Sequence, residues 1–152
     1  MRRGVRLAID WGDARIGVAA CDRDGVLAYP LATVPAGASE LARLAELVAE
    51  HEPIEVLVGL PRSLSGGEGP AARKARERAG RLAAGLAVPV RLVDERLSTV
   101  TASQRLRASG KRAKEQRPLI DAAAAAAILE HALAIERSGG NPPGELVSGD
   151  PD

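Results

Sequence analysis

Residues 7–19, LAIDWGDARIGVA, place the carboxylate of Asp10 at the end of one apolar strand and lead through a glycine-bearing turn into a second apolar strand. An ionised group at the end of a buried strand must be hydrogen-bonded, paired or bound to a metal, because desolvating it alone costs several kcal/mol. Asp10 is therefore the first candidate for chemistry. The alternative is a turn residue, whose side chain would accept hydrogen bonds from the backbone of Gly12 or Asp13.

The pattern on both sides of this stretch predicts an α/β fold. Apolar runs bounded by turn residues predict strands, and apolar residues at helical spacing predict helices. The predicted strands cover 6–10, 16–21, 26–34, 54–60 and 88–93, and the predicted helices cover 39–51, 70–86, 99–108 and 118–137. Right-handed crossovers then give a mixed five-stranded sheet of order 3-2-1-4-5, flanked by helices. We expect one domain over residues 1–137 and a disordered tail over residues 138–152.

The composition of the 152 residues excludes several classes of protein. Cys21 is the one cysteine of the chain, which excludes an internal disulfide and a Cys-rich zinc site. No stretch approaches the ~20 apolar residues that a membrane span needs, so we expect a soluble cytoplasmic protein without a membrane partner. Trp11 and Tyr29 are the only aromatic residues, so any affinity for nucleic acid must rest on phosphate contacts and shape.

Acidic residues lie on three elements that meet at one edge of the predicted sheet. Asp10 ends the first strand, Asp94 and Glu95 end the fifth strand, and Asp121 lies one turn into the last helix. Taken alone, Asp121 also fits the first turn of a helix, where the macrodipole favours an acid, and Asp94 and Glu95 fit surface charges. Together these acids favour Mg²⁺ or Mn²⁺, which prefer oxygen ligands. Carboxylates that hold two such ions about 3.5–4 Å apart meet the needs of phosphodiester hydrolysis.

Two basic segments are candidates for contact with an anion. Residues 105–117 carry six cations against the single acid Glu115, and such a segment indicates a mobile basic connection. For this segment a solvated surface and an anion-binding role stay equally open. Residues 73–81 carry five cations on a predicted helix, for which a solvated surface is favoured.

Four stretches, in this order, resemble the YqgF family, also called RuvX: residues 9–19, 58–61, 94–99, and 119–121 with the alanine-rich helix that follows. The resemblance covers residues 5–135. It implies a ribonuclease H-like fold, in agreement with the predicted order of elements. It also implies a metal-dependent nuclease that processes the 5′ end of pre-16S rRNA. An older interpretation of the family is cleavage of Holliday junctions.

The resemblance also implies roles for individual residues. It implies that the catalytic metal ligands are Asp10, Glu95 and Asp121. Candidates for contact with substrate phosphates are Arg15, Arg62 and Arg96, which lie in or beside the matching stretches, and Lys111, Arg112 and Lys114 of the basic segment. Asp13 stands where the family more often has Thr, Ser or Lys; it is either an additional carboxylate beside the metals or, as we favour, a simple turn residue. Asp94 and Glu95 point to opposite faces of a strand, so only one of them should reach the metals.

The expected partner is structured nucleic acid, either an rRNA precursor in the precursor of the small ribosomal subunit or branched DNA. RNA ranks first on the resemblance alone, and a monomer is favoured over a homodimer. Two other classes of protein fit the sequence less well. An actin-like kinase or ATPase needs a second domain, which 152 residues cannot supply. A non-catalytic nucleic-acid-binding module is disfavoured because all three acidic positions are filled.

Overall fold

The structure, a computed structural model, describes residues 1–62, 67–95 and 113–147, with side chains for all of these except 113–121. Six strands and three helices lie within these ranges. The strands are β1 (Arg6–Trp11), β2 (Arg15–Cys21), β3 (Ala28–Pro35), β4 (Glu55–Leu60), β5 (Val90–Asp94) and β6 (Glu145–Val147). The helices are α1 (Glu40–His51), α2 (Pro70–Ala84) and α3 (Ala113–Gly139).

The strands form one sheet of order β3-β2-β1-β4-β5-β6. β1 pairs antiparallel with β2 and parallel with β4, and β4 pairs parallel with β5. These pairings confirm the predicted α/β fold and the predicted order of its first five strands. They also bring the carboxyl ends of β1, β4 and β5 to the same edge of the sheet, which the predicted site requires.

A sixth strand corrects the predicted count of five. β6 pairs antiparallel with β5, and it lies in the segment for which a disordered tail was predicted. Gly144 adopts a φ of 74° just before this strand, and a Cβ at this position would overlap the carbonyl oxygen of Leu92. A strand of three residues after a Pro-Pro-Gly turn has too few residues to show a periodicity in the sequence. Residues 148–152 of the predicted tail lie outside the described residues.

Alternation along the central strands divides the core between the two faces of the sheet. On one face, Leu7 and Ile9 of β1 belong to the same cluster as Leu44 of α1 and Ala75 of α2. On the other face, Ala8 of β1 lies in the cluster formed with α3. The small side chains of α3 and of the strand beneath it let this helix lie close to the sheet, as the alanine-rich sequence predicts.

The last helix begins earlier than its sequence predicts. Its start was predicted at Pro118, but α3 begins at Ala113. Residues 113–117, AKEQR, are strong helix formers, which favours an earlier start than the proline. The helix predicted over 99–108 and residues 63–66 of the loop after β4 lie outside the described residues. Within the described ranges, no helix is long and apolar enough to cross a membrane.

Buried charges join the amino end of β1 to the C-terminal part of α3. Arg6 and Glu136, with side chains 1% and 2% exposed, form an ion pair of 2.8 Å. Arg2 donates to both Glu136 and Glu55, and Arg91 lies 3.1 Å from Glu55. The Arg6–Glu136 pair fixes the direction of α3, because it holds the end of this helix at the beginning of β1. The N-terminal half of α3 therefore lies toward the carboxyl ends of the central strands.

Candidate active site at the carboxyl edge of the sheet

Asp10 and Glu95 meet at the carboxyl edge of the sheet. Asp10 is the fifth residue of β1, and Glu95 directly follows β5. β4 lies between these strands, and the backbone N–H of Glu95 donates to the carbonyl oxygen of Leu60, the last residue of β4, at 3.3 Å. The Glu95 carboxyl is hydrogen-bonded to Asp10. The structure thus brings together an acid from the first strand and an acid from the end of the fifth.

Gly59 of β4 leaves the space that the Glu95 side chain occupies. A Cβ at residue 59 would overlap Glu95 Oε2, and it would lie 2.7 Å from Ile128 Cδ1 of α3. A glycine inside a strand often marks a place where another group approaches the backbone closely. Here the approaching groups are the glutamate of the site and the helix that covers this face of the sheet.

The Glu95 carboxyl is buried beside two other acids. Burial, the negative charge of Asp10, the hydrogen bond with Asp10 and the charge of Asp94 together raise the pKa of Glu95 to about 8. Glu95 Oε2 is buried and has no hydrogen-bond partner among the described residues. Buried polar atoms are nearly always paired, so this oxygen marks a place where a cation or a donor is expected.

A cavity of about 330 Å³ adjoins the two acids. Its walls come from β1 and the turn that follows, the end of β4, the first part of α2 and the residue after β5. The residues with chemical potential in its lining are Asp10, Trp11, Asp13, Lys74, Arg78 and Glu95. Of the neighbours Asp94 and Glu95, which the sequence left undecided, it is Glu95 that lines the cavity.

Two cations of α2 lie on the wall of this cavity. Lys74 Nζ and Arg78 Nη2 lie 3.0 and 2.9 Å from Asp13 Oδ1, and hydrogen bonds from Lys74 and Arg78 lower the pKa of Asp13. The Arg78 guanidinium lies over the Trp11 ring, 5.9 Å from its centroid. Trp11 Nε1 in turn donates to Glu40 Oε2 at 2.9 Å. The sequence favoured a simple turn residue for Asp13. In the structure Asp13 is also an ion-pair partner of α2.

The sequence also favoured a solvated surface for the cations of α2. This interpretation does not predict that Lys74 and Arg78 line the cavity. The signal that was available is the pattern of small residues in this helix. Ala72, Ala75 and Ala79 are buried and define its sheet-facing side. Residues 74 and 78 are one turn apart on the border of that side, where a long side chain reaches the edge of the sheet.

A second ion cluster ties the beginning and end of the loop after β4 to α2 and β6. Arg76 donates to both oxygens of Glu68, at 2.7 and 2.8 Å, and to Glu145 Oε2 at 2.6 Å. Arg62, a predicted phosphate contact, lies 3.4 Å from Glu68. Arg15, another predicted contact, begins β2 and is not among the described residues that line the cavity.

The structure describes no side chain for the other predicted site residues. Arg96, Lys111 and Arg112 lie outside the described residues, and Lys114 and Asp121 lie in α3 with only their backbone described. Among the side chains that the structure does describe, no group of three or more His, Cys, Asp or Glu residues is arranged to hold a metal ion. The predicted ligand set of Asp10, Glu95 and Asp121 thus stays a prediction.

Comparison with known proteins settles the family. The model of RuvX, described as Holliday junction resolvase, matches residues 4–135. The chain belongs to the RuvX family. A Streptomyces coelicolor protein named "Putative pre-16S rRNA nuclease" is 65% identical to it over 150 residues, which are 97% of this chain and 90% of that protein. A protein of the same name from Thermobifida fusca is 56% identical over 161 residues, with 99% of this chain and 100% of that protein covered.

Solved structures show that this RuvX chain shares its fold with RuvC. The structure of T. thermophilus RuvC in complex with Holliday junction substrate gives a TM-score of 0.55 at 22% identity, over 91% of this chain and 98% of that chain. A second Thermus thermophilus RuvC structure gives 0.52 at 23% identity, over 91% and 99%. At this identity the similarity establishes the fold, and it confirms the predicted ribonuclease H-like architecture.

Proposed function

We propose that this RuvX chain is a metal-dependent nuclease that hydrolyses phosphodiester bonds and processes the 5′ end of pre-16S rRNA. The observation that carries the proposal is the meeting of Asp10 and Glu95 at the carboxyl edge of the sheet, beside an open cavity that also contains cations. Membership of the RuvX family and the names of its relatives support nuclease chemistry at this place.

The acids present fit a divalent cation. Glu95 Oε2 is buried and lacks a donor among the described residues, and the charges of Asp10 and Asp94 act on the same carboxyl. A hard cation would offset this repulsion and take the orphaned oxygen as a ligand. In the proposal, Asp10, Glu95 and Asp121 hold Mg²⁺ or Mn²⁺ as a two-metal site. Bound at these residues, a pair of ions would supply activation of the attacking water and stabilisation of the leaving oxygen.

The direction of α3 supports Asp121 as the third ligand. Glu136 is paired with Arg6 at the beginning of β1, and Ile128 lies beside Gly59 near the end of β4. Asp121 lies about two turns before Ile128 in the same helix. Its backbone therefore lies farther toward the carboxyl edge than either of these contacts.

The proposed substrate contacts are the six cations that the sequence indicates. They are Arg15, Arg62, Arg96, Lys111, Arg112 and Lys114. Arg62 has specific support, because its guanidinium is partly exposed and lies 3.4 Å from the Glu68 carboxylate. A substrate phosphate can take the place of such an exposed carboxylate partner.

RNA is the proposed substrate because relatives that are 65% and 56% identical carry the name of a pre-16S rRNA nuclease. In this proposal the protein acts as a monomer in the cytoplasm, on the precursor of the small ribosomal subunit. The alternative substrate is branched DNA, which the description of the family names.

A cleavage assay with both substrates side by side tests the proposal. Wild type and the variants Asp10→Asn, Glu95→Gln and Asp121→Asn are incubated with 5′-extended 16S precursor RNA or with a four-way DNA junction, in Mn²⁺, Mg²⁺ or EDTA. We expect metal-dependent RNA cleavage by the wild type and loss of cleavage, without loss of RNA binding, in each variant. Asp24→Asn is the matched control, because Asp24 is an exposed aspartate paired with Arg3 near the β2–β3 turn.

Each other outcome of the assay has a definite meaning. Cleavage of the DNA junction alone would overturn the assignment to RNA and favour a resolvase. RNA binding without cleavage in either metal would indicate a non-catalytic binding module. Cleavage that persists in Asp10→Asn would show that the chemistry takes place elsewhere.

A further inference from the structure

Asp13, Lys74 and Arg78 form a compact charge cluster on the wall of the cavity. Both cations donate to the same oxygen, Asp13 Oδ1, at 3.0 and 2.9 Å. Lys74 and Arg78 are one turn apart on α2, so their charged ends converge on one point. A carboxylate oxygen that accepts from two cationic donors takes the place that a phosphate oxygen occupies in an anion-binding site.

The cluster is accessible to an incoming anion. The side chains of Asp13, Lys74 and Arg78 are 77%, 55% and 18% exposed. Exposed ion pairs contribute little to stability, because water and salt screen them. The two cations can therefore exchange the carboxylate for another anion without a large cost to the fold.

The same cations connect two cavities. Lys74 and Arg78 line the cavity that holds Asp10 and Glu95, and together with Arg81 they line a neighbouring cavity of about 360 Å³. Lys74, Arg78 and Arg81 recur at i, i+4 and i+7, on one face of α2. This line of charge is about 10 Å long, so it extends beyond a single phosphate group.

Two acids lie beside this line in the neighbouring cavity. Glu40 and Glu77 both contribute to its lining. The two oxygens of Glu40 already accept hydrogen bonds, one from Trp11 Nε1 at 2.9 Å and one from the backbone N–H of Gly37 at 3.0 Å. Glu77 lies on α2 itself, three positions after Lys74.

We propose that Lys74, Arg78 and Arg81 form a track for backbone phosphates of the nucleic-acid substrate, and that Asp13 is a built-in competitor which a substrate phosphate displaces. This inference rests on the proposed function, which supplies nucleic acid as the ligand. In the free protein Asp13 keeps the Lys74 and Arg78 side chains converged beside the acids. A phosphate that displaces Asp13 takes over both donors, and the strand is then led from the candidate active site along α2.

A binding assay without cleavage tests the track. Radiolabelled 5′-extended 16S precursor RNA is titrated in EDTA over a range of salt concentrations. Asp13→Asn keeps the shape of the side chain and removes its charge, and we expect RNA affinity to rise about threefold. Lys74→Gln and Arg78→Gln should each lower RNA affinity about fivefold, and each should reduce the slope of log affinity against log salt by about one.

Matched variants separate this effect from a change in net charge. Asp24→Asn removes an exposed acid away from the cavities, and we expect no threefold gain. Arg73→Gln removes a cation from an exposed position of α2 that is not among the described residues lining either cavity, and the salt slope should change less. In Asp13→Asn/Arg78→Gln the gain from Asp13→Asn should shrink, because one of the two released cations is gone.

Different results would contradict the phosphate track and the proposed function. A wild type that does not bind RNA would overturn both. A wild type that binds RNA, with Asp13→Asn equal to Asp24→Asn and Lys74→Gln equal to Arg73→Gln, would overturn the track alone. Thermal denaturation of each variant checks that it is folded, and Asp13→Glu, which keeps the charge, should retain the wild-type affinity.

Discussion

Replacement of Gly59 by alanine should damage the candidate site and the core at the same time. The new methyl group would overlap Glu95 Oε2 and would lie 2.7 Å from Ile128 Cδ1. Carbon atoms in contact are normally about 3.5–4.0 Å apart, so the Ile128 side chain must retreat by about 1 Å. Ile128 is fully buried, so this movement takes place inside the packed core.

The size of the effect follows from this overlap. Overpacking of a core costs about 1–3 kcal/mol. In a domain of this size, a loss of about 2 kcal/mol lowers Tm by about 4–8 °C. The methyl group also displaces the Glu95 carboxylate from Asp10, and under the proposed function Mn²⁺ affinity should fall by about tenfold or more.

Thermal denaturation and calorimetric titration with Mn²⁺ measure these two effects. Gly80→Ala is the control, since a Cβ at this helical position would meet no described atom within 4 Å apart from its chain neighbours and the nearby backbone of its own helix. This change should raise stability by about 0.5–1 kcal/mol. Ile128→Val removes Cδ1, so Gly59→Ala combined with Ile128→Val should cost less than the sum of the single changes, while Mn²⁺ affinity stays low. An unchanged Tm and Mn²⁺ affinity in Gly59→Ala would refute the close packing of β4, Glu95 and α3.

Two further predictions concern groups away from the cavity. Glu136→Gln should lower the free energy of unfolding by about 3–5 kcal/mol, because it leaves the buried charge of Arg6 uncompensated. Denaturant titration measures this loss, and a loss below about 1 kcal/mol would contradict the prediction. Burial raises the pKa of Glu136, but hydrogen bonds from Arg2 and the charge of Arg6 hold it below its ordinary value of 4.5. The Arg6–Glu136 pair therefore stabilises the fold above pH 4.5. This stabilisation is lost as the pH falls through the lower pKa that Glu136 has in the folded protein. This acid-side loss, followed by Tm against pH, should be smaller in Glu136→Gln. Burial also raises the pKa of the Cys21 thiol, and this residue is 1% exposed. A thiol reagent at pH 8 should therefore label Cys21 only after denaturant is added. Rapid labelling of the folded protein would disprove the burial of Cys21.

The meeting of Asp10 and Glu95 could be predicted from the sequence because it depends on topology. Apolar runs identify β1, β4 and β5, and right-handed crossovers bring their carboxyl ends to one edge. The choice between Asp94 and Glu95 could not be predicted, because it depends on where β5 ends and how the chain turns afterward. The bond from Glu95 N–H to Leu60 and the open space at Gly59 decide it.

The buried charges and the cations of α2 depend on contacts between distant parts of the chain. Glu55 is a charged residue in an otherwise apolar strand, and its partners Arg2 and Arg91 come from a preceding segment and a later strand. No local pattern encodes such a pairing. Lys74 and Arg78 are similar, since their ion pairs depend on Asp13, which lies in the turn after β1.

Trp11 follows Asp10 in β1 and is the only tryptophan of the chain. Its indole N–H is bonded to Glu40, and the Arg78 guanidinium covers its ring. A cation bound at Asp10, or a phosphate that draws Arg78 away, would change the electric field and the polarity around the indole. When the protein is excited at a wavelength that tyrosine does not absorb, its intrinsic fluorescence therefore comes from one emitter at the rim of the candidate site. The intensity and wavelength of this emission can report ligand binding there without a label.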